Sequence, residues 1–299
     1  MNIALTGATG FLGRYILRRL AAAGHACRCW HRATSDRGGL SDVAGVEWTT
    51  GELNVERDAA SLVDGRDAVV HSALHHAGWV RPRDTGDLLP FYEKNILGTL
   101  RLIEAARAAR VGRFVFISTC AVHDVILDDR PLDETHPLWP RSHYGAHKAA
   151  LEKFVHSYGL GDGYAICSLR PTGIYGPAHP VVDSKWFDLV QSVRRGETVR
   201  VERGGKEVHA ADVARAVEIL LNAPAERITG QAFNCYDMYI SEHAVAHLAR
   251  EISGSAATIV GEPPAPKHQI DTRKLRALGM TFGGPALLRR TIEELLRNP

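Results

Sequence analysis

Tyr144 and Lys148 stand four residues apart in the stretch Ser142-His143-Tyr144-Gly145-Ala146-His147-Lys148. On a helix that spacing puts a phenol and an ammonium group on one face. A free tyrosine titrates near ~10, and a neighbouring cation favours the phenolate. Tyr144 could then exchange a proton near neutral pH, a lowering of about three units that asks for roughly 4 kcal/mol. Taken alone the spacing is weak, because tyrosines and lysines four apart are common on solvated helix faces. Ser118 and Thr119, at the end of the apolar run Phe114-Val115-Phe116-Ile117, add hydroxyls, although a Ser or Thr at a strand end is often only a turn former. His143 and His147 are also four apart, with no third ligand at a metal-binding spacing, so no metal is expected.

The elements that would position this chemistry begin at the N-terminus. Residues 2 to 6 read as a strand, followed by Thr6-Gly7-Ala8-Thr9-Gly10-Phe11-Leu12-Gly13 and then an amphipathic helix through Tyr15, Ile16, Leu17 and Leu20. Gly7 permits a tight turn, Gly10 lets backbone approach a pyrophosphate, Gly13 lets helix and strand pack closely, and the helix N-terminus attracts the anion. This strand, glycine turn and helix predict a bound dinucleotide. Residues 26 to 31 form the second predicted strand, and Arg32 stands at its end with Thr34, Ser35 and Arg37 behind it. An acidic side chain there binds a ribose 2′-hydroxyl and a basic one accommodates a 2′-phosphate, so NADP is favoured and NAD remains possible. A solvated loop arginine is the bland alternative.

Further strands are predicted at 46 to 50, 67 to 73, 114 to 119 and 164 to 169, with helices at 87 to 109 and through Tyr144. The wholly apolar run 114 to 117 suits a sheet covered on both faces. Gly51-Glu52-Leu53 follows the third strand, and Ser72-Ala73 ends the fourth. His75, His76 and Trp79 in the next loop either line the substrate pocket or are exposed or packing residues.

Together, Gly-x-x-Gly-x-x-Gly at Gly7, Gly10 and Gly13, Tyr144 with Lys148, and Arg170-Pro171-Thr172-Gly173-Ile174-Tyr175-Gly176-Pro177 resemble the extended short-chain dehydrogenase/reductase family, the epimerase/dehydratase type. The resemblance implies an α/β, Rossmann-like, doubly wound parallel sheet in residues 1–171. A smaller α+β substrate lobe would follow in 172–299, with segments returning to the first domain. It implies that Thr9, Phe11 and Leu12 join the glycines at the cofactor, with Glu52 and Leu53 near the adenine and Ser72 and Ala73 beside the dinucleotide. Asn95 would brace the active site, and Pro171 and Gly173 would pass close to the nicotinamide. Thr119, preceded by Ser118, would hold the substrate oxygen, and Lys148 would lower Tyr144 and bind the nicotinamide ribose.

Four departures narrow the chemistry. Thr119-Cys120-Ala121 stands where the family's dehydratases carry Thr-Asp-Glu, which disfavours water loss, and Val122-His123-Asp124 replaces Val-Tyr-Gly in the pocket wall. Gly173 replaces an asparagine that helps hold nucleotide sugars. Gly205 replaces an arginine that contacts a nucleotide diphosphate, with Lys206 adjacent. Asp212 is read as the cap of the following helix. The expected activity is an NAD(P)-dependent oxidoreductase acting on an alcohol or carbonyl. A nucleotide-sugar 4-epimerase retaining NAD is the alternative, and a non-catalytic NADP-binding regulator a third reading.

Composition fits this picture. The 299 residues carry 45% hydrophobic and 23% charged side chains and a net charge of +2, with no bias toward nucleic acid or anionic membranes. Five scattered cysteines, Cys27, Cys29, Cys120, Cys167 and Cys235, suit reduced thiols. With no secretion-signal pattern and no stretch long enough to span a membrane, a cytoplasmic enzyme is expected, with a small-molecule substrate. By resemblance it would be a homodimer joined through the helix of residues 87 to 109 and the helix of Tyr144.

Overall fold

The computed structural model describes residues 1–76 and 88–298; Trp79 lies outside the described residues. Six strands, all but β2 and β3 separated by helices, run through residues 2–171: β1 (Asn2–Thr6), β2 (Ala26–His31), β3 (Val46–Thr50), β4 (Ala68–His71), β5 (Arg113–Ile117) and β6 (Ile166–Pro171). The helices between them are α1 (Phe11–Ala22), α2 (Glu56–Val63), α3 (Leu88–Tyr92), α4 (Gly98–Ala108) and α5 (His143–His156). All six strands lie parallel, in the order β6-β5-β4-β1-β2-β3.

Alternation along each strand explains why these runs are apolar throughout. Ile3, Leu5, Val70, Val115 and Ile117 face α1, where Ile16, Leu17 and Leu20 close one half of the core. Their neighbours Ala4, Val69, Phe114 and Phe116 point the other way, against Leu62, Leu102, Ile103, Leu151 and Val155 of α2, α4 and α5. A parallel sheet with helices on both faces has no solvated side, so period-two polarity is absent.

After β6 come β7 (Gly173–Tyr175), β8 (Val199–Arg200), β9 (Gly204–His209), β10 (Gln231–Cys235), β11 (Met238–Ser241) and β12 (Ile259–Val260), with α6 (Phe187–Arg194) and α7 (Ala210–Asn222) among them. β10 pairs in parallel with β6 and is the seventh strand of the main sheet. Val213, Val217 and Leu220 of α7 join the same core as α1. The rest forms a smaller lobe in which β11, β9 and β7 make a sheet and the helices Phe187–Arg194, Glu242–Ser253 and Gly284–Arg297 share a second core. Asp212 does not cap α7. The His209 ring accepts the Ala211 N–H at 3.0 Å, whereas Asp212 reaches across to accept Gly283 N–H at 2.8 Å. Among the described residues no helix is long and apolar enough to cross a membrane.

The strand order reverses between β1 and β4, and at that switch point α/β sheets open a crevice beyond the carboxyl ends of their strands. Here α1 packs against the preceding turn so closely that a Cβ on Gly13 would lie 1.9 Å from the Gly7 carbonyl oxygen. Gly13→Ala should therefore push α1 off the turn, costing about 1–3 kcal/mol by overpacking against backbone. A lower urea midpoint together with weaker dinucleotide binding is the expected result.

Candidate active site

The turn after β1 is shaped for an anion. Gly7 has φ of +76°, and a Cβ there would sit 2.8 Å from the Ala73 backbone nitrogen, so the ends of β1 and β4 meet only because residue 7 lacks a side chain. Gly10 takes an extended conformation before α1 and no side chain caps that helix, which leaves its first N–H groups to an incoming group. Arg14, buried beneath the turn, donates to the backbone oxygens of Thr9, Asp36 and Gly38. Its charge serves the turn and not the ligand.

A cleft of about 590 Å³ runs from this turn along the strand ends. It is lined by Gly7, Thr9, Gly10, Phe11, Leu12, Gly13, Arg32, Glu52, Leu53, Ser72, Ala73, Thr119, Tyr144, Lys148 and Pro171, and His75 and His76 face it as well. Sequence reasoning missed Trp30, Lys94, Thr172 and Ile174, which also line it. Lys94 adjoins Asn95 on a π-helical turn, Glu93–Leu97, whose shifted phase a regular helical reading cannot supply. The open glycine cradle, the uncapped helix end and the length of the cleft fit a dinucleotide.

A buried chain of hydrogen bonds holds the floor of the cleft. Thr6 Oγ accepts the N–H groups of Ser72 and Ala73 and lies 2.6 Å from His71 Nδ1. The other ring nitrogen, Nε2, is 2.8 Å from Thr99 Oγ, which donates to the Asn95 carbonyl at 2.6 Å. Only one assignment satisfies all of them: Thr6 donates to Nδ1, and Nε2–H donates to Thr99. Full burial pushes the His71 pKa down to about 3, so the ring stays neutral and the tautomer is fixed. Asn95 in turn accepts the His75 N–H at 2.8 Å and donates to the His75 and Phe91 carbonyls. Asn95 is buried, holds the segment of His75 from behind and does not itself line the cleft, so it is not placed for direct contact with a cofactor.

At the other end, Ser142 caps α5 by accepting the Gly145 N–H, and the helix presents Tyr144 and Lys148 to the end of β5. Thr119 Oγ accepts the Ala121 N–H at 3.1 Å and lies close enough to the Tyr144 hydroxyl to act on its titration. Burial raises Tyr144 above its ordinary value and the Thr119 hydroxyl works against that rise. In the ligand-free protein Tyr144 therefore lies above its ordinary value, where a phenol lowered by Lys148 was expected. The Lys148 ammonium donates to the Ile117 carbonyl at 2.7 Å and lies 4.5 Å from the Phe116 ring centre. Burial pulls Lys148 down to about 7, and Glu152 opposes that shift.

Two further expectations change. Ser118 lies at the cleft, but its hydroxyl is donated to the buried Glu152 carboxylate, so it is no second hydroxyl for the substrate oxygen. Gly173 does not line the cleft, although its neighbours Thr172 and Ile174 do. The Glu207 carboxylate occupies the space beside it, with Oε2 2.5 Å from where a Gly173 Cβ would be. His143 pairs with the Tyr92 hydroxyl at 2.9 Å, and His147 packs on the Phe91 ring edge at 4.9 Å.

Comparison with known proteins agrees with this architecture. Residues 3–235 match the NAD dependent epimerase/dehydratase family. The chain is 31% identical over 175 residues to UDP-glucose 4-epimerase of Rhizobium meliloti, covering 56% of this chain and 50% of that protein. It is 28% identical over 280 residues to 2-alkyl-3-oxoalkanoate reductase of Stenotrophomonas maltophilia, covering 89% of this chain and 78% of that one. The chain thus spans half the length of the epimerase. A solved UDP-glucose 4-epimerase of Thermus thermophilus, in complex with NAD, superposes with a TM-score of 0.78 at 24% identity, covering 100% of this chain and 99% of that one. At that identity the likeness is one of fold.

The depressed Lys148 pKa has a measurable consequence. Below about 7 the side chain is an ammonium that can donate to ribose hydroxyls, and above it the group becomes a neutral amine in the ligand-free protein. Affinity for a reduced nicotinamide dinucleotide is expected to fall as pH rises through that value, and fluorescence titration should find the inflexion in the parent protein and not in Lys148→Met.

Proposed function

The chain belongs to the NAD-dependent epimerase/dehydratase family, and from that premise we propose that it transfers a hydride between a nicotinamide cofactor and an alcohol or carbonyl substrate. The observation that carries this reading is the meeting of Thr119, Tyr144 and Lys148 in the cleft whose other end is the glycine turn. A bound nicotinamide dinucleotide supplies the hydride donor or acceptor. Tyr144 gives its proton to the substrate oxygen in reduction and takes it back in oxidation. Thr119, beside the Tyr144 hydroxyl, donates to the substrate oxygen as charge develops. Lys148 holds the ribose hydroxyls and, once these replace the Ile117 carbonyl as its partner, favours the phenolate.

NADP is the cofactor we favour over NAD. Arg32 lines the adenosine end, and its guanidinium has no ion-pair or hydrogen-bond partner among the described residues, which suits a 2′-phosphate. Glu52 lines the same end, but it follows β3 and does not stand at the end of β2, where an acid would read a ribose 2′-hydroxyl. Simple redox is favoured over epimerisation because Gly173 and Gly205 remove two side chains that would hold a nucleotide sugar. Tight co-purification of NAD together with turnover of a UDP-sugar would reverse that ranking. We further infer a homodimer in the cytoplasm. Exposed Leu97 and Phe154, 47% and 40% accessible, lie where a partner helix would cover them, and all five cysteines are unpaired.

Two variants test the reading. Tyr144→Phe should abolish carbonyl reduction, by roughly a thousandfold or more for loss of the proton donor, while NADPH affinity stays near that of the parent; turnover that persists would sink the assignment. Arg32→Asp should exchange the cofactor preference, lowering NADPH affinity at least tenfold, about 1.4 kcal/mol, and raising that for NADH. Equal effects on both cofactors would show that Arg32 does not read the 2′-phosphate.

A further inference from the structure

Lys94 lines the cleft, and its ammonium has no ion-pair or hydrogen-bond partner among the described residues. Its place is set by rigid neighbours. The π-helical turn Glu93–Leu97 packs on the segment that follows β3: Asn54 Nδ2 donates to Glu93 Oε1 at 3.0 Å, and a Cβ on Gly98, just after the turn, would lie 2.7 Å from the Asn54 backbone nitrogen. On its other side Asn95 grips the segment that follows β4, accepting the His75 N–H at 2.8 Å and donating to the His75 carbonyl at 3.0 Å. Lys94 therefore stands between the two segments that bring Glu52, Leu53 and His75 to the cleft.

Arg32 reaches the same place from the end of β2. A turn holds its backbone, with the Arg32 N–H donated to Ser35 Oγ and the Ser35 N–H to the Arg32 carbonyl, both at 2.9 Å, and the guanidinium is left free. His75 feels both cations: burial lowers its pKa, and Lys94 and Arg32 lower it further while Glu52 opposes them. For His76 the charges that add to burial are those of Arg32 and Lys148, so Lys94 belongs to the adenosine end and Lys148 to the other. The charge balance at the adenosine end calls for a second cation. Arg32 alone would be offset by the Glu52 carboxylate, which lines the same end, and a phosphate dianion would meet a neutral surface. With Lys94 two cations face one carboxylate.

We propose that Lys94 is a specificity-determining residue that binds, together with Arg32, the 2′-phosphate of NADP. The proposal rests on the NADP reading and adds to it a residue from a different element of the fold. Both backbones are fixed by hydrogen bonds before a ligand arrives, so binding orders only the two side chains, which keeps its entropic cost low. A ligand with a hydroxyl in place of the phosphate leaves the two cations without an anion between them. Discrimination then comes from their repulsion in NAD as well as from attraction in NADP.

Equilibrium binding to the full chain tests this with four ligands: NADPH, NADH, adenosine 2′,5′-bisphosphate and adenosine 5′-phosphate. The parent protein should favour NADPH over NADH and the bisphosphate over the monophosphate. In Lys94→Met both preferences should fall by about tenfold, the worth of one charge-assisted hydrogen bond, whereas Lys94→Arg, which keeps the charge, should retain most of both. Added salt should narrow the preferences of the parent more than those of Lys94→Met, because contacts between charges are screened. Equal weakening of NADPH and NADH in Lys94→Met would put the lysine at the pyrophosphate and overturn the proposal. A parent preference that Arg32→Asp abolishes and Lys94→Met leaves intact would refute the role of Lys94 alone. A parent protein with no preference for the 2′-phosphate would refute the NADP reading itself, and the role of Lys94 with it.

Discussion

Glu152 and Arg170 lie side by side with 0% and 1% of their side chains exposed. Arg170 Nε meets both carboxylate oxygens, at 3.0 and 2.9 Å, and Nη2 meets Oε2 at 2.5 Å. Taking two such charges out of water costs several kcal/mol each, so the pair persists only because further bonds satisfy what remains. Ser118 donates its hydroxyl to Glu152, and the Arg170 backbone carbonyl accepts the Cys120 thiol. Glu134 offers its carbonyl to Arg170 Nη1 at 3.4 Å and its carboxylate to the Asn234 N–H at 2.7 Å. The ends of β5, β6 and β10 and the helix α5 are therefore tied to one point. Glu152 stands four residues after Lys148 and eight after Tyr144, on the same helical stripe. Fixing Glu152 against Arg170 sets the rotation of α5, and that rotation aims the phenol and the ammonium at the strand ends.

The same carboxylate bears on the chemistry. Lys148 is a buried cation whose protonated form is disfavoured by desolvation, and Glu152 is the group that pulls in the opposite direction. Without that counter-charge the ammonium would be lost at a lower pH than about 7. Arg170 neutralises most of Glu152, so Lys148 is left poised and not locked as a cation. A lysine held in this state can trade its bond to the Ile117 carbonyl for one to a ligand hydroxyl at modest cost.

Local spacing carried much of this arrangement. Strands buried on both faces must be continuous apolar runs, and a turn that brings backbone against backbone must be glycine, so β1, β5 and the residues Gly7 and Gly13 were legible before any contact was known. Tyr144 and Lys148 shared a face for the same local reason. What sequence could not supply was the partner across the fold. Ser118 and Thr119 are adjacent hydroxyls, and only the position of Glu152 on another element decides that Ser118 is donated inward while Thr119 meets Tyr144. His209 and Asp212 are both plausible caps for α7, and Gly283, seventy residues on, takes Asp212 away. β10 is too short to announce a sheet position, and its pairing with β6 is set by contacts far along the chain. In the ligand-free protein Tyr144 is raised and Lys148 turns to the Ile117 carbonyl, because a shared face does not fix where a long flexible side chain ends.

Two buried polar networks of the scaffold are closed: the chain from Thr6 through His71 and Thr99 to Asn95 satisfies its hydrogens, and the Glu152–Arg170 pair is bonded from several elements. Along the cleft the Arg32 guanidinium and the Thr172 hydroxyl have no partner among the described residues, and the same holds for one buried oxygen of Glu207. Leaving such groups unpaired costs stability, which the scaffold's satisfied networks offset.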